Sequence, residues 1–147
     1  MNGCLVVDAN LLTMSLIPGP LQIRARELLA KWDQEGRILR SPTLWRYEAT
    51  TTLTKAVCFG SVTSSEVRVL LALLQSLEIE SVPPDNEQMA RALAWTERLR
   101  RVAAYDSFYL ALAETLGCEL WTADRHLANA VGVPWVHCIT EQAGKAG

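Results

Sequence analysis

The sequence predicts a single three-layer α/β/α domain around a mostly parallel central sheet of about five strands. Three observations carry this. Short apolar runs alternate with longer amphipathic segments from one end to the other. The short runs are continuously apolar, as expected of strands covered by helices on both faces. The 147 residues suffice for one sizeable core, and no linker, internal repeat or low-complexity stretch divides them. Residues 1–140 are assigned to this domain, and the small, polar tail 141–147 is expected to fray.

Taken in order, Cys4 to Val7 reads as the first strand, and Leu11 to Ile17 as a short helix that stops before Pro18-Gly19-Pro20. Leu21 to Glu35 carries Leu21, Ala25, Leu28, Leu29 and Trp32 at helical spacing and ends at Gly36. Arg37 to Arg40 is a second strand. Ser41 and Pro42 read as the N-cap and first residue of a helix running to about Phe59. Its stripe is Trp45, Glu48, Ala49, Thr52, Leu53 and Ala56. Ser64 or Ser65 caps a helix from Glu66 to Leu77 that is apolar on most sides, and Glu78 to Val82 is a third strand. After Pro83-Pro84, Asp85 or Asn86 starts a helix to about Arg98. Asp106 leads the next helix, with Tyr109, Leu110, Ala113 and Leu116 as its apolar stripe and Gly117 as its stop. Glu119 to Thr122 is a fourth strand, Arg125 to Val131 a short helix begun by Asp124, and Pro134 to Cys138 the last strand.

Composition narrows the function. Half the residues are hydrophobic and a fifth are charged, which is a globular balance. A net charge of −2 argues against a broad basic surface for non-specific nucleic-acid binding. It leaves a nuclease open, because acidic metal ligands cancel basic substrate contacts in the total. Cys4, Cys58, Cys118 and Cys138 form no Cys-x-x-Cys pair and are read as reduced thiols, not as disulfide or zinc ligands. No run approaches the roughly 20 apolar residues of a membrane helix, and the N-terminus lacks the basic flank of a signal peptide. A cytoplasmic protein without membrane association is therefore expected.

The chemistry-bearing residues are acids. Asp8, Asp106 and Asp124 each stand at a helix start, and Asp8 and Asp124 follow strands directly. Each alone reads equally as a helix cap. In an open parallel sheet, however, residues just past the strand C-termini share one edge, where ligands bind. Three carboxylates there repel one another unless a hard cation such as Mg²⁺ or Mn²⁺ sits among them. Glu48 is an acid in the middle of a core-facing stripe. As a structural residue it would pair with Arg46, Arg24 or Lys55, since a lone buried carboxylate is costly. Arg98, Arg100 and Arg101 form the one dense basic cluster, and Arg46 and Arg125 neighbour two of the acids. These arginines suit phosphate contacts or, equally, a solvated helix end.

Taken together, these segments resemble the motifs of PIN-domain ribonucleases. The first is Val6-Val7-Asp8-Ala9-Asn10-Leu11-Leu12 and the second Pro42-Thr43-Leu44-Trp45-Arg46-Tyr47-Glu48-Ala49. The third is Tyr105-Asp106-Ser107-Phe108-Tyr109-Leu110-Ala111-Leu112-Ala113 and the fourth Leu120-Trp121-Thr122-Ala123-Asp124-Arg125. Size and the pattern around Trp45 to Ala49 look most like the VapC toxins of toxin–antitoxin pairs. The resemblance implies a Mg²⁺-dependent endoribonuclease, with Mn²⁺ as an alternative ion. Asp8, Asp106 and Asp124 would be the metal ligands, Glu48 a fourth catalytic acid, and Asn10 and Thr122 supporting hydrogen-bonders. It also implies an RNA substrate, a small antitoxin partner and a homodimer built through apolar helices. No further acid follows Asp124 closely, so a fifth ligand is not evident. The alternatives are a housekeeping PIN ribonuclease in RNA processing, and a non-catalytic metal-binding or interaction module of the same fold.

Overall fold

A computed structural model describes residues 3–140; the tail 141–147, expected to fray, lies outside the described residues. Among these residues, five strands form one sheet: β1 (Cys4–Val7), β2 (Ile38–Pro42), β3 (Ile79–Val82), β4 (Glu119–Thr122) and β5 (Val136–Cys138). Their spatial order is β3-β2-β1-β4-β5, and every pairing is parallel. Among the described residues, seven helices connect and cover them: α1 (Ala9–Met14), α2 (Gln22–Gln34), α3 (Leu44–Cys58), α4 (Ser64–Ser76), α5 (Asn86–Leu99), α6 (Tyr105–Leu116) and α7 (Arg125–Val131). The expected three-layer architecture is the one observed.

The strand order fixes where a ligand can sit. The chain lays β2 and β3 outward on one side of β1, then returns to place β4 on the other. The switch point of this doubly wound sheet lies between the carboxyl ends of β1 and β4, where adjoining loops part and leave a crevice. β1 is wholly buried, and Tyr109, Leu110, Leu112 and Ala113 of α6 belong to the same core. None of the helices among the described residues is long and apolar enough to cross a membrane.

Several local expectations are corrected. Ser41 and Pro42 end β2 instead of opening α3: Pro42 pairs with Val82, and the Ser41 hydroxyl donates to the Val7 carbonyl at 2.5 Å. α3 begins at Leu44 without a side-chain cap. α4 is capped by Thr63, which forms a capping box with Glu66, so Ser64 and Ser65 lie inside the helix. Of α4, only Leu74 is buried, and Val69 and Leu73 face solvent. Cys4 and Cys118 are joined by a disulfide, not held as reduced thiols. The parallel register of β1 and β4 brings their Cα atoms to 5.8 Å, within bridging range. Cys58 and Cys138 are free, as expected.

Candidate active site

Asp8 stands at the end of β1 and caps α1, its Oδ1 accepting from the Asn10 amide at 3.3 Å. One strand over, Thr122 ends β4 in full burial. Its hydroxyl donates to Asp8 Oδ2 at 2.9 Å and accepts from Asn10 Nδ2 at 3.3 Å and the Asp124 amide at 3.0 Å. Asn10 closes the network by accepting from the Ala123 amide at 3.0 Å. Asp124 caps α7, taking the Leu127 amide at 3.0 Å. The switch point is thus lined by two carboxylates held in register through one threonine hydroxyl.

Helices bring the other two acids. Asp106 lies in the first turn of α6, while the cap position belongs to Ala104, so this acid does not serve as the helix cap. Glu48 projects from α3 and finds a different partner from those expected: the Tyr109 hydroxyl donates to its Oε1 at 2.6 Å. The same hydroxyl accepts from the Ala9 amide at 3.4 Å. One phenol therefore ties α6, α3 and the β1–α1 junction together. Sequence reading placed Tyr109 among the apolar stripe of α6 and missed this role; the one available signal was a polar tip three residues after Asp106.

Asp8, Glu48 and Asp106 feel neighbouring carboxylates. Burial pushes the Asp8 carboxyl from 3.8 to about 7, and the charges of Asp106 and Glu48 add to the shift. Burial also raises Glu48, with Asp106 adding to the effect and the Tyr109 hydrogen bond opposing it. Asp106 is raised by burial and by Asp124, against the pull of Arg101. Such an excess of buried negative charge suits a hard cation with oxygen ligands. As the side chains stand, no three His, Cys, Asp or Glu among the described residues form a ready cage. The Arg101 guanidinium occupies Asp106 Oδ2 at 3.0 Å, taking the place at that acid a metal would use. The donor chemistry fits Mg²⁺ or Mn²⁺, on condition that this ion pair opens.

The remaining arginines separate. Arg100 and Arg101 line a cleft of about 550 Å³ together with Glu48, Tyr105 and Asp106. Arg46 and Arg98 do not line this cleft; they lie over the rings of Trp45 and Trp95, at 5.1 and 4.7 Å from the centroids. Arg125 lies against the Cys138 sulfur. Trp45 is buried and donates to Ser81 at 2.7 Å, and Trp121 stacks on His137, which also contacts Glu119 at 3.1 Å. A larger hollow of about 700 Å³ lies at the amino ends of β2 and β3, away from the acids.

Replacing Tyr109 with Phe keeps the ring and removes the hydrogen bond that holds Glu48 down. Glu48 then titrates at higher pH, so the acid limb of any pH–rate profile moves upward, and a ¹³C-detected carboxyl titration shows the same displacement. An unmoved Glu48 titration would contradict the assigned contact.

Comparison with known proteins agrees with this fold. A toxin–antitoxin complex from Klebsiella pneumoniae superposes with a TM-score of 0.62 at 20% identity, covering 93% of this chain and 97% of that one. FitAcB from Neisseria gonorrhoeae superposes with a TM-score of 0.66 at 17% identity, covering 95% and 99%. At these identities the likeness speaks to the fold. No curated protein matches the sequence. The sequence matches the PIN domain over residues 5–133, a span holding Asp8, Glu48, Asp106 and Asp124, and the chain belongs to the PIN domain family.

Proposed function

We propose that this protein is a divalent-metal-dependent endoribonuclease and the toxin of a VapC-type toxin–antitoxin pair. The observation that carries the nuclease reading is the electrostatic coupling among these acids: Asp106 and Glu48 raise the Asp8 carboxyl, Asp106 raises Glu48, and Asp124 raises Asp106. When bound by Asp8, Asp106 and Asp124, Mg²⁺ or Mn²⁺ supplies Lewis-acid polarisation of the scissile phosphate and acidifies water. The protein's own groups do the rest. Glu48, held by Tyr109, accepts a proton from the attacking water and orients it. Thr122 and Asn10 hold Asp8 and the β4–α7 turn in place. Arg101, once released from Asp106, meets a phosphate of the RNA.

The toxin reading is supported by the two superposed structures, one of them a toxin–antitoxin complex, which this chain matches over nearly its full length. A small antitoxin partner and a homodimer follow from that reading. Val69 and Leu73 of α4 and Phe59 at the end of α3 supply exposed apolar surface for such contacts. The site of action would be the cytoplasm. Disulfides are uncommon in reducing compartments, and burial of both sulfurs would shield the Cys4–Cys118 bond there.

The test is direct. Purified protein with Mg²⁺ is expected to cut single-stranded RNA, and EDTA to stop it. Expression of the intact chain is expected to arrest growth, with relief by a short neighbouring reading frame. Cleavage undiminished in EDTA would contradict the metal; cleavage without growth arrest would favour the housekeeping alternative.

A further inference from the structure

The cleft beside Glu48 and Asp106 has a feature that the metal site does not require. Among the described residues, five have a left-handed backbone. Four are the glycines Gly36, Gly60, Gly117 and Gly132, and the fifth is Arg100 at φ 55°. Each follows or closes a helix, and glycine is the residue that fits there without steric cost. Only at the end of α5 does a long charged side chain stand in its place, and that side chain lines the cleft. A strained backbone kept at the expense of the easier residue points to a use for the side chain.

The same cleft holds an exposed aromatic residue. Tyr105, immediately before Asp106, lines the cleft and is 66% exposed, in a helix whose stretch from Tyr109 to Ala113 is buried. Tyr47, immediately before Glu48, is 75% exposed. Of these two tyrosines Tyr105 lines the cleft; Trp45 is buried and Trp121 is stacked on His137.

We propose that the cleft is a subsite for one unpaired nucleotide next to the scissile phosphate, with Tyr105 stacking its base and Arg100 holding its phosphate. This rests on the nuclease reading and sharpens it. Base stacking needs a base free of its duplex partner, so the preferred substrate is single-stranded. A stacked tyrosine and an arginine on the phosphate bind a nucleotide without strong base selection.

The experiment uses the full chain and a fluorescein-labelled single-stranded 12-nucleotide oligouridine. Binding is read by anisotropy in EDTA across a salt series, so that turnover plays no part. Arg100→Gly is the sharpest variant, because glycine suits the left-handed backbone. It is expected to melt at or above the wild-type temperature, bind several-fold more weakly, and lower the slope of log affinity against log salt by about 0.7, one single-strand phosphate contact. Tyr105→Ala is expected to weaken binding about tenfold, the loss of one stacked base, and Tyr105→Phe to stay within about twofold. A duplex of the same length is expected to bind at least about tenfold more weakly. If wild type binds and cleaves the oligomer but Arg100→Gly keeps its affinity and slope, or Tyr105→Ala matches Tyr105→Phe, the subsite is overturned while the nuclease reading stands. If wild type with Mg²⁺ or Mn²⁺ neither binds nor cleaves single-stranded RNA, both fall.

Discussion

Asp8→Asn is expected to abolish RNA cleavage, by on the order of 10³-fold or more, while making the metal-free protein more stable. The two effects share one cause. The unfolded chain ionises this carboxyl near pH 3.8 and the folded chain only near about 7. Between those values the unfolded state binds fewer protons, so stability falls as pH rises through that window and then levels off. The stabilisation is complete below the lower value and lost above the higher one. Asparagine carries no charge to bury. At about pH 8 in EDTA the variant should gain about 2 kcal/mol, after allowance for its imperfect bonds to Thr122 and the Asn10 amide. Thermal melts from about pH 4 to 8 check this. Wild type should lose stability across the range more steeply than the variant. A variant that melts lower than wild type at pH 8 would show that Asp8 is not the strained acid described here.

Thr122→Val should cost nearly as much function by a different route. Valine matches threonine in shape, so the change removes one hydroxyl from a fully buried position. That hydroxyl joins Asp8, Asn10 and the Asp124 amide. Leaving these groups short of partners should destabilise the fold by about 2–3 kcal/mol. Metal affinity and cleavage should fall by about 10–100-fold, as when a hydrogen-bond support behind a metal ligand is lost. Because the Thr122 bond holds Asp8 down, its loss drives the Asp8 carboxyl above about 7 and moves the acid limb of cleavage upward. Thr122→Ser keeps the hydroxyl and should recover most of the loss. Activity in Thr122→Val within about twofold of wild type would remove Thr122 from the site.

The contrast between these residues and those missed shows what one sequence can reveal. Asp8 and Asp124 were legible because strand-end acids at helix starts follow from the αβ alternation and the rule for ligand position in parallel sheets. Glu48 was legible as an acid in an apolar stripe. Its partner was not, because the stripe of α6 records Tyr109 as apolar and says nothing of where its hydroxyl points. The order of the strands was equally hidden. Nothing local reveals that β4 lies beside β1, and with it the Cys4–Cys118 bond and the Asp8–Thr122 contact. Ser41-Pro42 misled for the reverse reason: a good local start signal for a helix was overridden by pairing with β3 and by the hydroxyl bond to Val7. Arg100 and Arg101 looked like an ordinary basic helix end. Only the left-handed turn separates them from Arg98, which lies over Trp95.

All of this depends on the acids at the switch point serving as a cation site. Anomalous diffraction from crystals soaked in Mn²⁺ tests that most directly. The expected result is a single strong peak, or a close pair, within about 2.0–2.3 Å of Asp8 and Asp106 carboxylate oxygens, with Asp124 nearby and Arg101 withdrawn from Asp106. A map with no peak there, and the Arg101–Asp106 ion pair still closed at saturating Mn²⁺, would contradict it.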